Sequence, residues 1–297
     1  MNKVIKSTRG LNVLVATDGS AQAKSAVATL ANYPWPDATR VRVVVAQRFA
    51  PGDLGGFVDA ALEKSAHAIA DDARLALASL WPDATSAVAN GPPMEGILAE
   101  AEGFGADILL VGWRGHGSVR RMLAGSVSRD LARRAKCSVL VVRKKQDQVR
   151  EIVIGFDGSP KSQKAIELVA KLAVPKGGRV TILRTAERIG VPSQALVSAA
   201  TRATVAAEIR RLNAESLAKA RAETRVGATI LDSRGWRVRI VVAAGEPLND
   251  LLSEVERLQA DLLVVGARGT SGVRQLLLGS VADGALNRCE ASVLIAR

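Results

Sequence analysis

Aromatic side chains are scarce: Phe, Trp and Tyr make up 3% of the 297 residues, although 48% of the chain is hydrophobic. The core must therefore be built from Ala, Val, Leu and Ile. The aromatic platforms usual for single-stranded nucleic acid are missing. No apolar run reaches the ~18 residues that a membrane span needs. The opening MNKVIKSTRG is basic, but no apolar segment with a cleavage site follows it, and Asp18 interrupts LNVLVATDGS. The expectation is a cytoplasmic chain without membrane association. Only two cysteines occur, Cys137 and Cys289, each just before the last strand of its half. They read as repeat equivalents in a reducing compartment, not as a disulfide pair. There are two histidines, His67 and His116, and no cluster of His, Cys, Asp and Glu that suggests a protein-only metal site. No Ser-His-Asp or Cys-His set is evident. The absence of G-x-x-x-x-G-K-[ST] excludes a P-loop NTPase. No G-x-G-x-x-G opens the first helix, which argues against a dinucleotide-binding Rossmann domain.

What is abundant is positive charge. Lys and Arg outnumber Asp and Glu by 41 to 29, for a net charge of +12. Such a balance suits nucleic acid, an acidic partner or polyphosphate, and it equally suits a generally basic, solvated surface. The cations are spread along the chain, with one denser stretch at Arg133, Arg134, Lys136, Arg143, Lys144 and Lys145.

The chain is also internally repeated. NVLVATDGS (12–20) matches EIVIGFDGS (151–159), and the segment 106–143 matches 260–297 in order and character. This predicts a first domain over 1–143, a short charged linker KKQDQVR over 144–150, and a second domain over 151–297. Asp18 and Gly112 are 94 positions apart, whereas Asp157 and Gly266 are 109 apart. The extra residues fall in a polar, Ala-rich helical stretch at 193–225. Each half alternates short apolar strands with helical patterns. In the first half these are VLVAT, a helix from Ser20, strand 41–46, helix 57–81, strand 85–89, helix 94–103, strand 107–112, helix 126–135 and strand 138–142. Uniformly apolar strands alternating with helices indicate an α/β fold in which a parallel sheet is covered on both faces. Right-handed crossovers then make each half doubly wound, with its ligand cleft at the carboxyl ends of the strands.

The motif G-x-x-G-x9-G-S occurs in both halves: Gly112, Gly115, Gly125 and Ser126, then Gly266, Gly269, Gly279 and Ser280. Each copy starts directly after an apolar strand and ends at the start of an amphipathic helix. Glycines permit close backbone approach. The final Gly-Ser gathers free backbone N–H groups, a hydroxyl and the positive helix end at one point, which suits a phosphate. A tight turn with an ordinary Ser N-cap explains a single copy equally well. A second motif, Asp-Gly-Ser, ends each first strand: Asp18, Gly19 and Ser20, then Asp157, Gly158 and Ser159. These residues either cap the following helix or place a carboxylate beside the cleft, where it can accept from a nucleoside. The third motif, V-x-x-G-x-P at Val88, Gly91 and Pro93 and at Val242, Gly245 and Pro247, reads as a structural turn into a helix.

Together, in this order and twice over, these motifs resemble the universal stress protein family along nearly the whole chain. The resemblance implies a five-stranded parallel sheet of order 3-2-1-4-5 in each half. It also implies ATP as the ligand, since the glycine motif marks the ATP-binding members, with Mg²⁺ carried on the phosphates. In the first half, Thr17, Asp18, Val111, Gly112, Arg114, Gly115, Gly125, Ser126, Val127 and Ser128 would line the ATP site. In the second half, Phe156, Asp157, Val265, Gly266, Arg268, Gly269, Gly279, Ser280 and Val281 would do so. Many family members end the second strand in His-Val, where this chain reads Gln47-Arg48 and Arg184-Thr185. The resemblance further implies a stress-response role, a protein partner that reads nucleotide occupancy, and pairing of the last strands, Ser138–Val142 and Ser292–Ala296, as an intrachain pseudo-dimer. A homodimer of such chains would follow from further association. Two other functions stay open: slow ATP hydrolysis, with Asp130 or Asp283 as the available bases, and binding of nucleic acid or an acidic surface through the positive charge.

Overall fold

The apolar runs form strands whose two faces are both covered by helices. A computed structural model describes residues 10–47, 56–113, 126–143, 146–186, 189–190, 199–269 and 278–297. The first half contains strands β1 (Asn12–Ala16), β2 (Arg40–Gln47), β3 (Thr85–Asn90), β4 (Ile108–Gly112) and β5 (Ser138–Val142). Its helices are α1 (Ala21–Leu30), α2 (Gly56–Leu77), α3 (Pro93–Phe104) and α4 (Ser126–Arg134). The second half repeats them as β6 (Glu151–Gly155), β7 (Arg179–Thr185), β8 (Arg237–Ala243), β9 (Leu262–Gly266) and β10 (Ser292–Ala296). Between these strands run α5 (Pro160–Lys171), α6 (Ala199–Ser233), α7 (Pro247–Leu258) and α8 (Ser280–Arg288).

Each half is a parallel sheet of order 3-2-1-4-5. Among the described residues the two sheets join into one ten-stranded sheet, β3-β2-β1-β4-β5-β10-β9-β6-β7-β8. The junction is the antiparallel pair β5–β10, in register Val139–Ile295, Leu140–Leu294 and Val141–Val293. Alternate strand residues point to opposite faces. One face packs against α1, α2, α5 and α6 through Val27, Leu77, Ile166 and Leu231. The other packs against α3, α4, α7 and α8 through Ile97, Leu131, Leu251 and Leu286. Leu14, Leu109 and Ile154 have no exposed surface, and burying such a side chain contributes about 1.5–3 kcal/mol.

The junction is also held by a reciprocal pair of arginines. Arg297, just past β10, donates to the carbonyls of Ala132 and Arg133 at the end of α4, and its backbone N–H donates to Ser138 Oγ at 3.2 Å. Arg143, just past β5, donates to the Leu286 carbonyl in α8, and its backbone N–H donates to Ser292 Oγ at 3.4 Å. Cations at helix C-termini satisfy orphan carbonyls and complement the dipole. The link between the halves is packed rather than loose. Val149 is fully buried, and Gln146 Nε2 donates to the Asp261 carbonyl. Residues 144–145 lie outside the described residues.

Some boundaries differ from the sequence expectation. The helix expected over 57–81 ends at Leu77, where Ala78 and Leu80 make short i−3 bonds to Leu75 and Leu77. Pro82 restricts the residue before it and does not let the helix continue. The Ala-rich helix runs on past 225 to Ser233, and Gly235, with φ +95°, turns the chain there. The alignment of the second strands is also corrected. Thr17 N–H donates to the Val44 carbonyl, and Phe156 N–H donates to the Leu183 carbonyl. Arg184 and Thr185 are therefore the counterparts of Val45 and Ala46, not of Gln47 and Arg48. Both β2 and β7 begin Arg-Val, so the shift of two residues leaves the apolar pattern intact and invisible in the sequence. Arg48 lies outside the described residues.

Candidate functional site

In the second half the motifs converge at the carboxyl ends of β6 and β9, beside the point where strand order reverses. The turn after β6 is built by local hydrogen bonds. Asp157 Oδ1 accepts from Ser159 N–H at 2.9 Å, and Gly158 takes φ +82° between them. Ser159 Oγ accepts from Ser162 N–H at 3.1 Å and caps α5, with Pro160 at the first helical position. The first half builds the same turn: Asp18 Oδ1 accepts from Ser20 N–H at 3.0 Å, Gly19 has φ +74°, and Ser20 Oγ accepts from Ala23 N–H at 3.2 Å. Capping thus occupies one oxygen of each Asp. The other oxygen of Asp157 lies against Gly269, where a Cβ would come within 2.6 Å of Oδ2.

The β9 end is equally close-packed. A Cβ on Gly266 would fall 2.8 Å from the Lys161 carbonyl carbon and 2.9 Å from Ser162 N, so only glycine lets this strand end touch the start of α5. Gly279 N–H donates to the Ala267 carbonyl at 2.9 Å and brings the start of α8 beside Arg268. No side chain caps α8, whose N-cap residue is Gly279. The first intrahelical bond closes only at Asp283 N–H to Gly279 O. The N–H groups of Ser280, Val281 and Ala282 thus have no acceptor within the helix and sit at its positive end. Cations gather nearby. The Lys161 ammonium is held below the usual lysine range, first by desolvation and then by the cations Lys164, Arg297 and Arg268.

These elements enclose a cleft of about 520 Å³. Every second-half residue that the resemblance assigned to the ATP site lines it, from Phe156 and Asp157 through Val265, Gly266, Arg268 and Gly269 to Gly279, Ser280 and Val281. The opposite wall is formed by Arg184 of β7, which the sequence had marked at the end of the second strand, and by Ser216, Lys219, Ala220 and Glu223 of α6, which sequence reading missed. Arg184 and Glu223 form an ion pair there. The spacing 216, 219, 220, 223 is one helix face, a signal present in the sequence but without any local cue to what it faces.

The first half is described only in part. Thr17, Asp18, Val111 and Gly112 stand at the matching strand ends, but Arg114, Gly115 and Gly125 lie outside the described residues. Ser126 opens α4 and Val127 is exposed. Ser128 is buried and its hydroxyl donates to the Trp113 carbonyl at 3.1 Å. A cavity of about 490 Å³ lies between α1 and α2, lined mainly by apolar residues such as Val27, Ile69 and Leu77.

One candidate base, Asp283, is engaged, and the Cys137 thiol is suppressed. Asp283 Oδ1 accepts from Arg133 at 2.7 Å, and Oδ2 accepts from Asn287 at 3.2 Å. Burial pushes the Cys137 thiol up, away from thiolate chemistry. Among the described residues no group of His, Cys, Asp and Glu is arranged to hold a metal ion, and no helix is long and apolar enough to cross a membrane.

Comparison with known proteins agrees with this architecture. The family model of the universal stress protein family matches residues 11–143 and again 148–297. A universal stress protein of Mycobacterium tuberculosis is 29% identical over 204 residues, covering 65% of this chain and 62% of the relative. The chain thus spans about three-fifths of the length of that relative. A universal stress protein of Thermus aquaticus is 35% identical over 134 residues, covering 44% of this chain and 97% of the relative. Among solved structures, a universal stress protein from Archaeoglobus fulgidus superposes with a TM-score of 0.69 at 18% identity, covering 96% of this chain and 98% of that one.

Proposed function

The chain belongs to the universal stress protein family, and we propose that it is a nucleotide-binding, stress-related member that holds ATP in its second-half cleft. One observation carries this reading. The uncapped start of α8, the glycines at 266, 269 and 279, and the Asp157 carboxylate all border one cleft of about 520 Å³. That volume is ordinary for a small-ligand site. The residues suit each part of the ligand. The amides of Ser280–Ala282 and the Arg268 side chain meet the phosphates. Asp157 accepts from the nucleoside hydroxyls or amine. Mg²⁺ would be held by the phosphates themselves, since the protein offers it no ligand cluster among the described residues. The first half keeps the same turn at Asp18 and the same motif, and a second ATP there completes the proposal.

Binding rather than turnover is favoured by the state of Asp283. It is the carboxylate nearest the start of α8 in sequence, and it is bound by both Arg133 and Asn287. A general base needs a free acceptor within reach of the attacking water. ATP occupancy in a cytoplasmic chain would then be the signal, and a protein partner its reader. The test is nucleotide content: the purified chain is denatured and the released nucleotide is identified and quantified per chain. A purine nucleoside triphosphate at one to two equivalents is expected. No nucleotide, together with no binding of added Mg·ATP, overturns the proposal, and a predominance of ADP moves the function to hydrolysis.

A further inference from the structure

The two halves close one wall of the fold in different ways. In the first half, Val45 of β2 is 4% exposed and packs with Ala66 and Ala70 of α2, with Ile69 against them. Ile69 covers the turn after β1: a Cβ on Gly19 would meet it at 3.1 Å. In the second half the strand register puts Arg184 at the Val45 position. Glu223 takes the place of Ile69. A Cβ on Gly158, the counterpart of Gly19, would meet Glu223 Oε2 at 3.3 Å and the Arg184 guanidinium at 3.4 Å.

An ion pair is a poor replacement for apolar packing. Withdrawing two charges from water costs as much as or more than their attraction returns, and the first half shows that this fold closes the wall with Val and Ile alone. The charged pair is therefore not needed for the wall itself. Both members line the cleft. The Arg184 side chain is 15% exposed and that of Glu223 is 40% exposed, so the carboxylate stays open to a ligand. Lys219, one turn earlier on α6, adds a donor to the same wall.

Position decides which part of a nucleotide this wall meets. The start of α8 follows β9, whereas Arg184 stands one residue before the end of β7, two strands away across β6. At about 4.8 Å per strand the separation is about 10 Å. With phosphates at α8, the wall faces the base.

Resting on the nucleotide reading above, we propose that the second-half cleft selects guanine over adenine through Arg184 and Glu223. The Glu223 carboxylate accepts from guanine N1–H and its 2-amino group, while Arg184 donates to O6. Adenine turns an acceptor, N1, toward the carboxylate where guanine turns a donor. ATP therefore enters the cleft with fewer bonds and is held more weakly than GTP. Val45 and Ile69 give the first half no such reader.

The test titrates the full chain with Mg·GTP, Mg·ITP and Mg·ATP, and compares it with the double variant Arg184→Val/Glu223→Ile. That variant installs the first half's own pair and strands no charge. In the unsubstituted chain one site is expected to bind GTP about tenfold more tightly than ATP. ITP should fall between them, because hypoxanthine keeps N1–H and O6 but lacks the 2-amino group. The double variant should lose the preference for GTP. Equal affinities for GTP and ATP in the unsubstituted chain, or a preference that survives in the double variant, overturn the proposal. If the double variant melts early, Glu223→Gln replaces it: loss of the preference supports base reading and retention overturns it. A chain that binds none of the three nucleotides removes the nucleotide reading itself, which is a distinguishable result.

Discussion

Asp157 and Gly269 stand so close that a Cβ on the glycine would lie 2.6 Å from Asp157 Oδ2. The carboxylate at the end of one strand is thus seated against the glycine loop that follows another. Gly269→Ala must displace that carboxylate. The obstacle is the tip of a side chain, so the fold should lose less than about 1 kcal/mol, whereas ATP affinity at the second half should fall about tenfold or more. Calorimetric titration and equilibrium denaturation of the same variant separate the two effects. Unchanged affinity would mean that Asp157 takes no part in binding.

Gly266 and Gly112 hold the same place in the two halves but tolerate a side chain differently. A Cβ on Gly266 would strike backbone of α5 at 2.8 Å, while one on Gly112 would make ordinary contacts, the nearest at 3.4 Å. Gly266→Ala is expected to cost about 1–3 kcal/mol, the usual range for overpacking. Gly112→Ala should cost less than about 1 kcal/mol. Urea denaturation of the two variants reads the difference, and equal costs would show that the halves are packed alike.

The arginines past β5 and β10 join the halves. Arg297 reaches the carbonyls of Ala132 and Arg133 from the far end of the chain. Its side chain is largely desolvated, which disfavours its charged form, so this contact depends on the carbonyls it finds. Arg297→Ala is expected to leave them unsatisfied and to lower stability by about 1–3 kcal/mol. Thermal unfolding of this variant should show a lowered midpoint. An unchanged midpoint would show that the β5–β10 pairing alone secures the junction.

Much of this was legible in the sequence for a physical reason. Strands such as ILLVG (108–112) and LLVVG (262–266) are buried on both faces and so carry no polar residues. Short-range turn chemistry was equally readable: Asp, Gly and Ser at 157–159 bond within five residues of one another. Side-chain contacts across long separations were not. Glu223 meets Arg184 from 39 residues away, through a helix with charged residues on several faces, so nothing local marks the face that turns inward. The length of α6 conceals it further, because the inserted residues break the alignment with α2. Gln259 shows the same limit at small scale. It ends α7 in the left-handed region with φ 49°, where its counterpart Gly105 would have announced the turn.

The central claim is that the uncapped start of α8 holds the phosphates of a nucleotide. Hydrogen exchange measured with and without saturating Mg·ATP tests it most directly, through peptides that carry the amides of Ser280, Val281 and Ala282. These N–H groups have no acceptor within the helix, so they should exchange readily in the free chain and become protected when phosphate oxygens accept from them. Saturation with nucleotide that leaves these amides unprotected, with protection appearing elsewhere, would contradict the account.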